Sequence, residues 1–303
     1  MCVAPDEFCR EFLLQNAASL FDRKAVRFGN YIFAAGCRWS PEQIFELWAA
    51  NFPEDADYGE LISAHLKKAV IYGIACNDRL ISMAAVFLRN IYAGGPGRFV
   101  PCGFIVGVST DMAWRGLGLS GSILRRIQQD MDKNGWQALA LSTFIPRFYE
   151  RFGFAVKGFR RQHSVSPGKA DGSVTVKNVG IEAASEICEY YGRFKQNGLL
   201  ARSVEDTQWK IRFSGQTLAL YGKSGLCGYA FRGEDNFFDE FMGDELSLLE
   251  TVAAYAGRPC IFALPAFGNL GALPFKDDWT SQMIYVNGED IFPAGDFVML
   301  DDW

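Results

Sequence analysis

The chain has 303 residues, 49% apolar and 21% charged, which is enough hydrophobic matter for two cores of ordinary domain size and excludes a disordered scaffold. Thirty Lys and Arg against 35 Asp and Glu leave a net charge of −5, so no general attraction to a nucleic-acid backbone or an anionic lipid surface is expected. The longest apolar runs, such as 81–88, fall well short of the roughly 20 residues that cross a bilayer, and 1–10 lacks the basic start and apolar stretch of a secretory signal, which predicts a cytoplasmic protein.

In chain order, 7–20 and 41–51 read as helices. The second has Ser40 as N-cap, Pro41 at its first position and Gln43 at the third, a capping-box pattern. Residues 61–68 form a third helical segment. Strands 69–76 and 80–88 flank a hairpin turn at Asn77-Asp78-Arg79, and a strand at 100–108 follows the loop Gly94-Gly95-Pro96-Gly97. A loop over 110–117 then leads into a helix on which Leu119, Ile123, Ile127 and Met131 share one face, stopped by Asn134-Gly135. A strand at 138–141, a short helix 146–152 opened by Pro146 and a strand at 154–159 complete the first half.

Turn formers and small polar residues crowd 166–173, which places a boundary between domains 1–166 and 173–303. Beyond it the order recurs: helices 181–194 and 204–213, a hairpin of strands 217–221 and 226–231 around Lys223-Ser224-Gly225, strand 237–242, helix 244–256 before Gly257, and strand 260–264. The halves share no sequence identity, so duplication rests on element order alone. The pattern as a whole is mixed α/β. Eight scattered cysteines without a C-x-x-C pair predict reduced, mostly buried thiols, and the only histidines, His65 and His163, are too few for a zinc site or a His-dependent triad. No metal is expected. His163 lies in Arg160-Arg161-Gln162-His163, which reads as the exposed end of a strand.

The chemistry is concentrated in Arg115-Gly116-Leu117-Gly118-Leu119-Ser120-Gly121, at the opening of the helix after strand 104–108. Glycines there let successive backbone N–H groups turn toward one point, and the helix N-terminus adds partial positive charge at the same place. A diphosphate fits that description, and Arg115 supplies a fixed cation beside it. Gly116, Gly118 and Gly121 also spell G-x-G-x-x-G, the signature of a dinucleotide-linked oxidoreductase. That reading wants an acidic residue ending the next strand, where Ser142 and Thr143 stand instead. A glycine turn that merely packs helix against strand is the structural alternative.

Arg115-x-x-Gly118-x-Ser120 resembles the R-x-x-G-x-G/A motif of the GCN5-related N-acetyltransferases, with Ser in the last small position, and Phe148-Tyr149-Glu150-Arg151-Phe152-Gly153-Phe154 resembles their second motif. The chain as a whole looks most like the tandem members related to the enhanced intracellular survival protein of mycobacteria. Gly198-Leu-Leu-Ala-Arg-Ser203 and Trp209 are similar to the start of their second domain. Two departures matter: 303 residues leave no room for their third, sterol-carrier-like domain, and the second half has Met242-Gly-Asp-Glu245 where a coenzyme motif would stand. Carboxylates there would repel a diphosphate, so the second domain is expected to be an acetyl-CoA-free copy.

The resemblance implies two tandem domains of acyl-CoA N-acyltransferase fold and transfer of an acetyl group from acetyl-CoA to a primary amine of a small molecule or peptide, by direct attack. Backbone groups of Val106, Gly107 and Val108 would meet the pantetheine and thioester, with Gly107 small enough for close approach. Tyr149 would be the general acid, its phenol protonated at neutral pH; its other reading is a core aromatic. Trp39, Ser142, Thr143 and Trp303 are the acceptor-side candidates, and the base is not readable. A cationic amine suits the acidic balance. By the same resemblance the second domain would shape the cleft or support a homo-oligomer. A non-catalytic acyl-CoA sensor of the same fold is the rival function.

Overall fold

The computed structural model describes residues 4–22, 25–36, 39–93, 97–168, 172–194, 198–233, 235–243, 245–265, 275, 278–288 and 291–292; Trp303 lies outside them. Helix α1 (Glu7–Asn16) starts where the Asp6 carboxylate accepts from the Cys9 N–H, and it tightens into a 3₁₀ turn at Ala17–Asp22. Strands β1 (Val26–Phe28) and β2 (Tyr31–Ala35) form a short hairpin. Helix α2 (Pro41–Asn51) has the expected capping box, Ser40 and Gln43 each accepting from the other's backbone N–H. A 3₁₀ turn (Pro53–Tyr58) joins it to α3 (Gly59–Leu66).

Strands β3 (Val70–Cys76) and β4 (Arg79–Tyr92) meet at Asn77 and Asp78, both at positive φ, as a tight right-twisted hairpin requires. Strand β5 (Phe99–Thr110) follows, then α4 (Leu119–Gln129), α5 (Met131–Asn134) with left-handed Gly135 as its stop, β6 (Ala138–Thr143), α6 (Pro146–Glu150) and β7 (Ala155–Val165). The second half contributes β8 (Thr175–Val179), α7 (Ala184–Tyr191), α8 (Val204–Phe213), β9 (Gln216–Gly222), β10 (Gly225–Arg232), β11 (Phe237–Met242), α9 (Leu246–Ala256), β12 (Cys260–Pro265) and β13 (Asp278–Val286).

The strands join one sheet in the order β1-β2-β3-β4-β5-β6-β13-β7-β12-β11-β10-β9-β8. Strand β13 lies antiparallel between β6 and β7, so the far end of the chain returns to the sheet of the first half. Four strands fall outside the sequence reading: β1, β2, β8 and β13. The first three are short and near the sheet edges, and β13 buries Thr280, Ser281 and Gln282, which hides the alternation that marks a strand. The strand β7 also corrects the reading of 160–163. Arg160 and His163 are buried, because β7 is interior, flanked by β13 and β12.

Side-chain alternation sorts the first half into two layers. Ala84, Val86, Ile105, Leu139 and Leu141 face the layer of α1 and α4, whereas Met83, Ala85, Phe104, Val106 and Ala140 face that of α2 and α3. The second half repeats this plan, with α7 over Ala219, Tyr229 and Phe231 and α9 over Leu218, Leu220 and Ala230. Helix α8 docks on the first half: Trp209 packs on His65 at 4.3 Å, Phe213 on Tyr58 at 4.7 Å, and Asp206 pairs with Arg89 at 3.0 Å. No helix among the described residues is long and apolar enough to cross a membrane.

Candidate active site

Strand β5 pairs in parallel with β6 only from Cys102↔Ala138 to Phe104↔Ala140, and beyond that point the two diverge. On its other side β5 slips register against β4: Val106 faces Ala85 and Ser109 faces Met83, so two residues, Gly107 and Val108, stand against Ala84 alone. This is a β-bulge, and Gly107 at its corner has φ +60. A strand that has left one neighbour and bulged from the other has backbone groups free of the ladder. Gly107 and Val108 are those residues, the Gly107 carbonyl accepting from the Ser109 hydroxyl at 3.1 Å, while Val106 keeps its register with Ala85 and has no partner position on β6.

A Cβ on Gly107 would collide with the benzo ring of Trp48. The missing side chain therefore makes room for the Trp48 ring from α2. Trp48 is buried, donates its indole N–H to Asp55 at 2.8 Å, and packs on Phe52 with ring centroids 5.0 Å apart. Asp55 has its carboxyl raised above the ordinary value by burial, with the Trp48 hydrogen bond opposing.

The loop from β5 to α4 is built differently. Gly116 and Gly118 have φ +81 and +77, and no atom lies within 4 Å of the place where either Cβ would be. Backbone geometry, not crowding, demands glycine there, and the space beside both residues is open. Gly118 is the N-cap of α4 and offers no side chain to the first turn, so the N–H groups of Leu119, Ser120 and Gly121 precede the first helical bond, Ser122 N–H to Gly118 C=O. Leu117 and Leu119 bury their side chains in the α1/α4 core, leaving only their backbone for a ligand. Gly118→Ala isolates the conformational cost: with no clash to relieve, folding stability should fall by about 1–2 kcal/mol, read from the denaturant midpoint at unchanged slope.

Arg115 is exposed, with Nε donating to the Thr110 carbonyl at 3.2 Å and a terminal nitrogen to Asn51 at 2.8 Å. Ser120 turns its hydroxyl to Thr110 at 2.6 Å, and Thr110 meets Ser82 at 2.8 Å, so this small residue pins α4 to the end of β5. Gly121 lets α4 approach Phe152, whose ring would be 2.8 Å from a Cβ. Exposed Arg125 lies over the same ring at 5.2 Å, and Arg151 over Phe148 at 5.1 Å. Arg115 in the loop and Arg125, whose terminal nitrogen is 3.9 Å from the place of a Gly121 Cβ, put two cations beside the start of α4. Sequence reasoning passed over Arg125, although its place one turn into the helix was the available signal.

Tyr149 projects from α6 into the α1/α4 layer, buried between Phe148 at 4.9 Å and Phe154 at 6.0 Å. Burial pushes its phenol up to about 12, and a hydrogen bond with Thr143 offsets part of this. Thr143 ends β6 on the same face and accepts from the Ile145 N–H at 3.1 Å. Ser142 alternates to the α2 face, its buried hydroxyl without a partner among the described residues. The structure thus brings Tyr149, Thr143, the bulge and the glycine loop to one end of β5 and β6. Trp39 is placed elsewhere, over Gly73 and lining a cavity of about 370 Å³ whose other walls are Pro41, Ile44, Ser63, Leu66, Lys67, Ala69 and Ile71. None of those residues belongs to β5, β6 or α6.

Inside β11, Glu240 takes two hydrogen bonds from Arg202, at 2.7 and 2.9 Å, and one from Tyr229 at 2.6 Å, all buried. Acidic Glu245 occupies the N-cap of α9.

Residues 40–157 match the family model described as acetyltransferase (GNAT) domain. No curated protein matches the chain. Among solved structures, a probable N-acyltransferase of unknown function from Enterococcus faecalis V583 aligns with TM-score 0.68 at 16% identity, over 84% of this chain and 72% of that one. Eis1 from Mycobacterium abscessus aligns at 0.63 and 14%, over 84% and 73%. The Saccharomyces cerevisiae N-myristoyltransferase with bound myristoyl-CoA aligns at 0.56 and 11%, over 87% and 84%. Residues 40–157, with their splayed β5 and β6 and a glycine loop opening α4, thus match an acetyltransferase (GNAT) domain, and the chain shares its fold with these N-acyltransferase structures.

Proposed function

We propose that the protein is an N-acetyltransferase that moves an acetyl group from acetyl-CoA to a primary amine of a small molecule or peptide. The observation that supports this reading best is the uncapped start of α4: open space beside Gly116 and Gly118, free N–H groups at Leu119, Ser120 and Gly121, and Arg115 at the rim. Such a cradle favours a diphosphate over neutral ligands. Arg125 and Arg151 would meet the remaining phosphate of the coenzyme.

From that anchor the pantetheine arm would run along the gap between β5 and β6, its amides meeting backbone groups of Val106, Gly107 and Val108. The bulge would place an N–H toward the thioester oxygen, where negative charge grows as the amine attacks. A C–N bond forms, the C–S bond breaks, and Tyr149 gives its phenolic proton to the departing sulfur. The proton lost by the amine leaves to solvent, which can then return one to Tyr149. Ser142 and Thr143 would border the acceptor. Residues 1–166 carry this site in our reading, and 173–303 form a second unit of the same plan that binds no acetyl-CoA and walls the first through α8.

Mass spectrometry of the protein with acetyl-CoA and a panel of polyamines, aminoglycosides and peptides with free N-termini tests the proposal. The expected result is a product heavier by one acetyl group on at least one amine. Coenzyme binding with no acetylated product across the panel would favour the sensor instead.

A further inference from the structure

Three features meet where β5 parts from β6. The strand bulges at Gly107 and Val108, the missing Cβ of Gly107 turns toward the α2 layer, and the benzo edge of Trp48 fills that place. By alternation, residue 107 would have followed Ile105 toward the α4 layer. The bulge resets that direction. The diphosphate cradle at the start of α4 belongs to the opposite layer from α2. An arm entering from the α4 side and following the gap past the bulge therefore ends against Trp48.

We propose that Trp48 sets the acyl-chain limit of this enzyme, admitting acetyl and excluding chains such as hexanoyl. The inference rests on the coenzyme reading above. The ring cannot easily turn away: it is 2% exposed, its Nε1 is tied to Asp55 at 2.8 Å, and Phe52 packs on it. Val106 and Ala140 on the sheet belong to the same packed cluster as Trp48, so a longer chain meets close-packed side chains there. Asp55 is a positioning residue here, since its carboxylate fixes the indole and no described cation competes for it.

Calorimetry of the whole chain with CoA, S-ethyl-CoA and S-hexyl-CoA needs neither an acceptor nor turnover. Wild-type protein is expected to bind CoA and S-ethyl-CoA alike and S-hexyl-CoA roughly tenfold or more weakly. Trp48→Ala should remove or invert that difference, because the vacated space accepts the chain and buries its methylenes. Loss of a buried indole destabilises, so Trp48→Phe, whose smaller ring withdraws from Gly107, is measured beside it and should narrow the ratio in the same direction. Wild-type affinity for S-hexyl-CoA equal to that for S-ethyl-CoA overturns the inference, as does an unchanged ratio in a folded variant. If the wild type fails to bind CoA itself, the coenzyme reading falls, and that outcome is distinct from both.

Discussion

Arg115→Glu should reduce the affinity for acetyl-CoA by roughly a hundredfold or more, measured by calorimetry at low salt. Two effects add. A charge-assisted hydrogen bond to phosphate is lost, at about 1.5–3 kcal/mol, and a carboxylate then repels the anion across a short distance beside the first turn of α4. Stability should change little, because the side chain is exposed and its protein partners are the Thr110 carbonyl and Asn51. Arg115→Lys should lose less, since it keeps the charge and gives up only the fork of donors. Parent-like uptake by the Glu variant would remove the basis for reading the glycine loop as a diphosphate cradle.

Tyr149→Phe should lower kcat by about 10²–10⁴-fold with little change in KM for acetyl-CoA. The ring stays between Phe148 and Phe154, so packing survives and only the hydroxyl is removed. The pH profile carries a second readout. With its phenol raised to about 12 by burial, Tyr149 remains protonated at all ordinary pH, so wild-type activity should rise as the amine loses its proton and show no falling limb from this residue below about pH 11. The variant should keep the rising limb at a lower plateau. Unchanged turnover with a good amine would leave Tyr149 as a core aromatic. The sign for stability follows from the same shift: a free phenol ionises near 10 and the folded one near 12, so folding stability is intact below about pH 10 and declines as pH rises across that interval.

Where local chemistry specifies local structure, the residues are legible without a fold. Ser40 and Gln43 announce the start of α2 because the capping box closes within four residues. Asn77-Asp78 announces a hairpin because both residues tolerate positive φ. Gly116 and Gly118 announce the loop because their left-handed backbone costs most other residues free energy, whatever surrounds them. Gly107 shows the opposite case. It has the same sign of φ, yet its companion is Trp48, far off in the chain, and no local pattern tells a glycine that admits a ring from one that admits a ligand. Trp39 is an acceptor-side candidate in sequence and Trp48 one residue of helix 41–51, but only packing sends the first to a separate cavity and the second to the bulge.

What the sequence determined by itself is the order of elements, the glycine loop at the mouth of α4 and the aromatic segment around Tyr149, all of them set by hydrogen bonds and dihedral preferences a few residues long. What the tertiary structure alone decided is non-local: the return of β13 between β6 and β7, the burial of Arg160 and His163 in an interior strand, the docking of α8 on His65, and the Trp48 ring over Gly107. Those arrangements depend on which apolar surfaces find each other once the chain collapses. The hydrophobic effect that drives them carries no direction along the sequence.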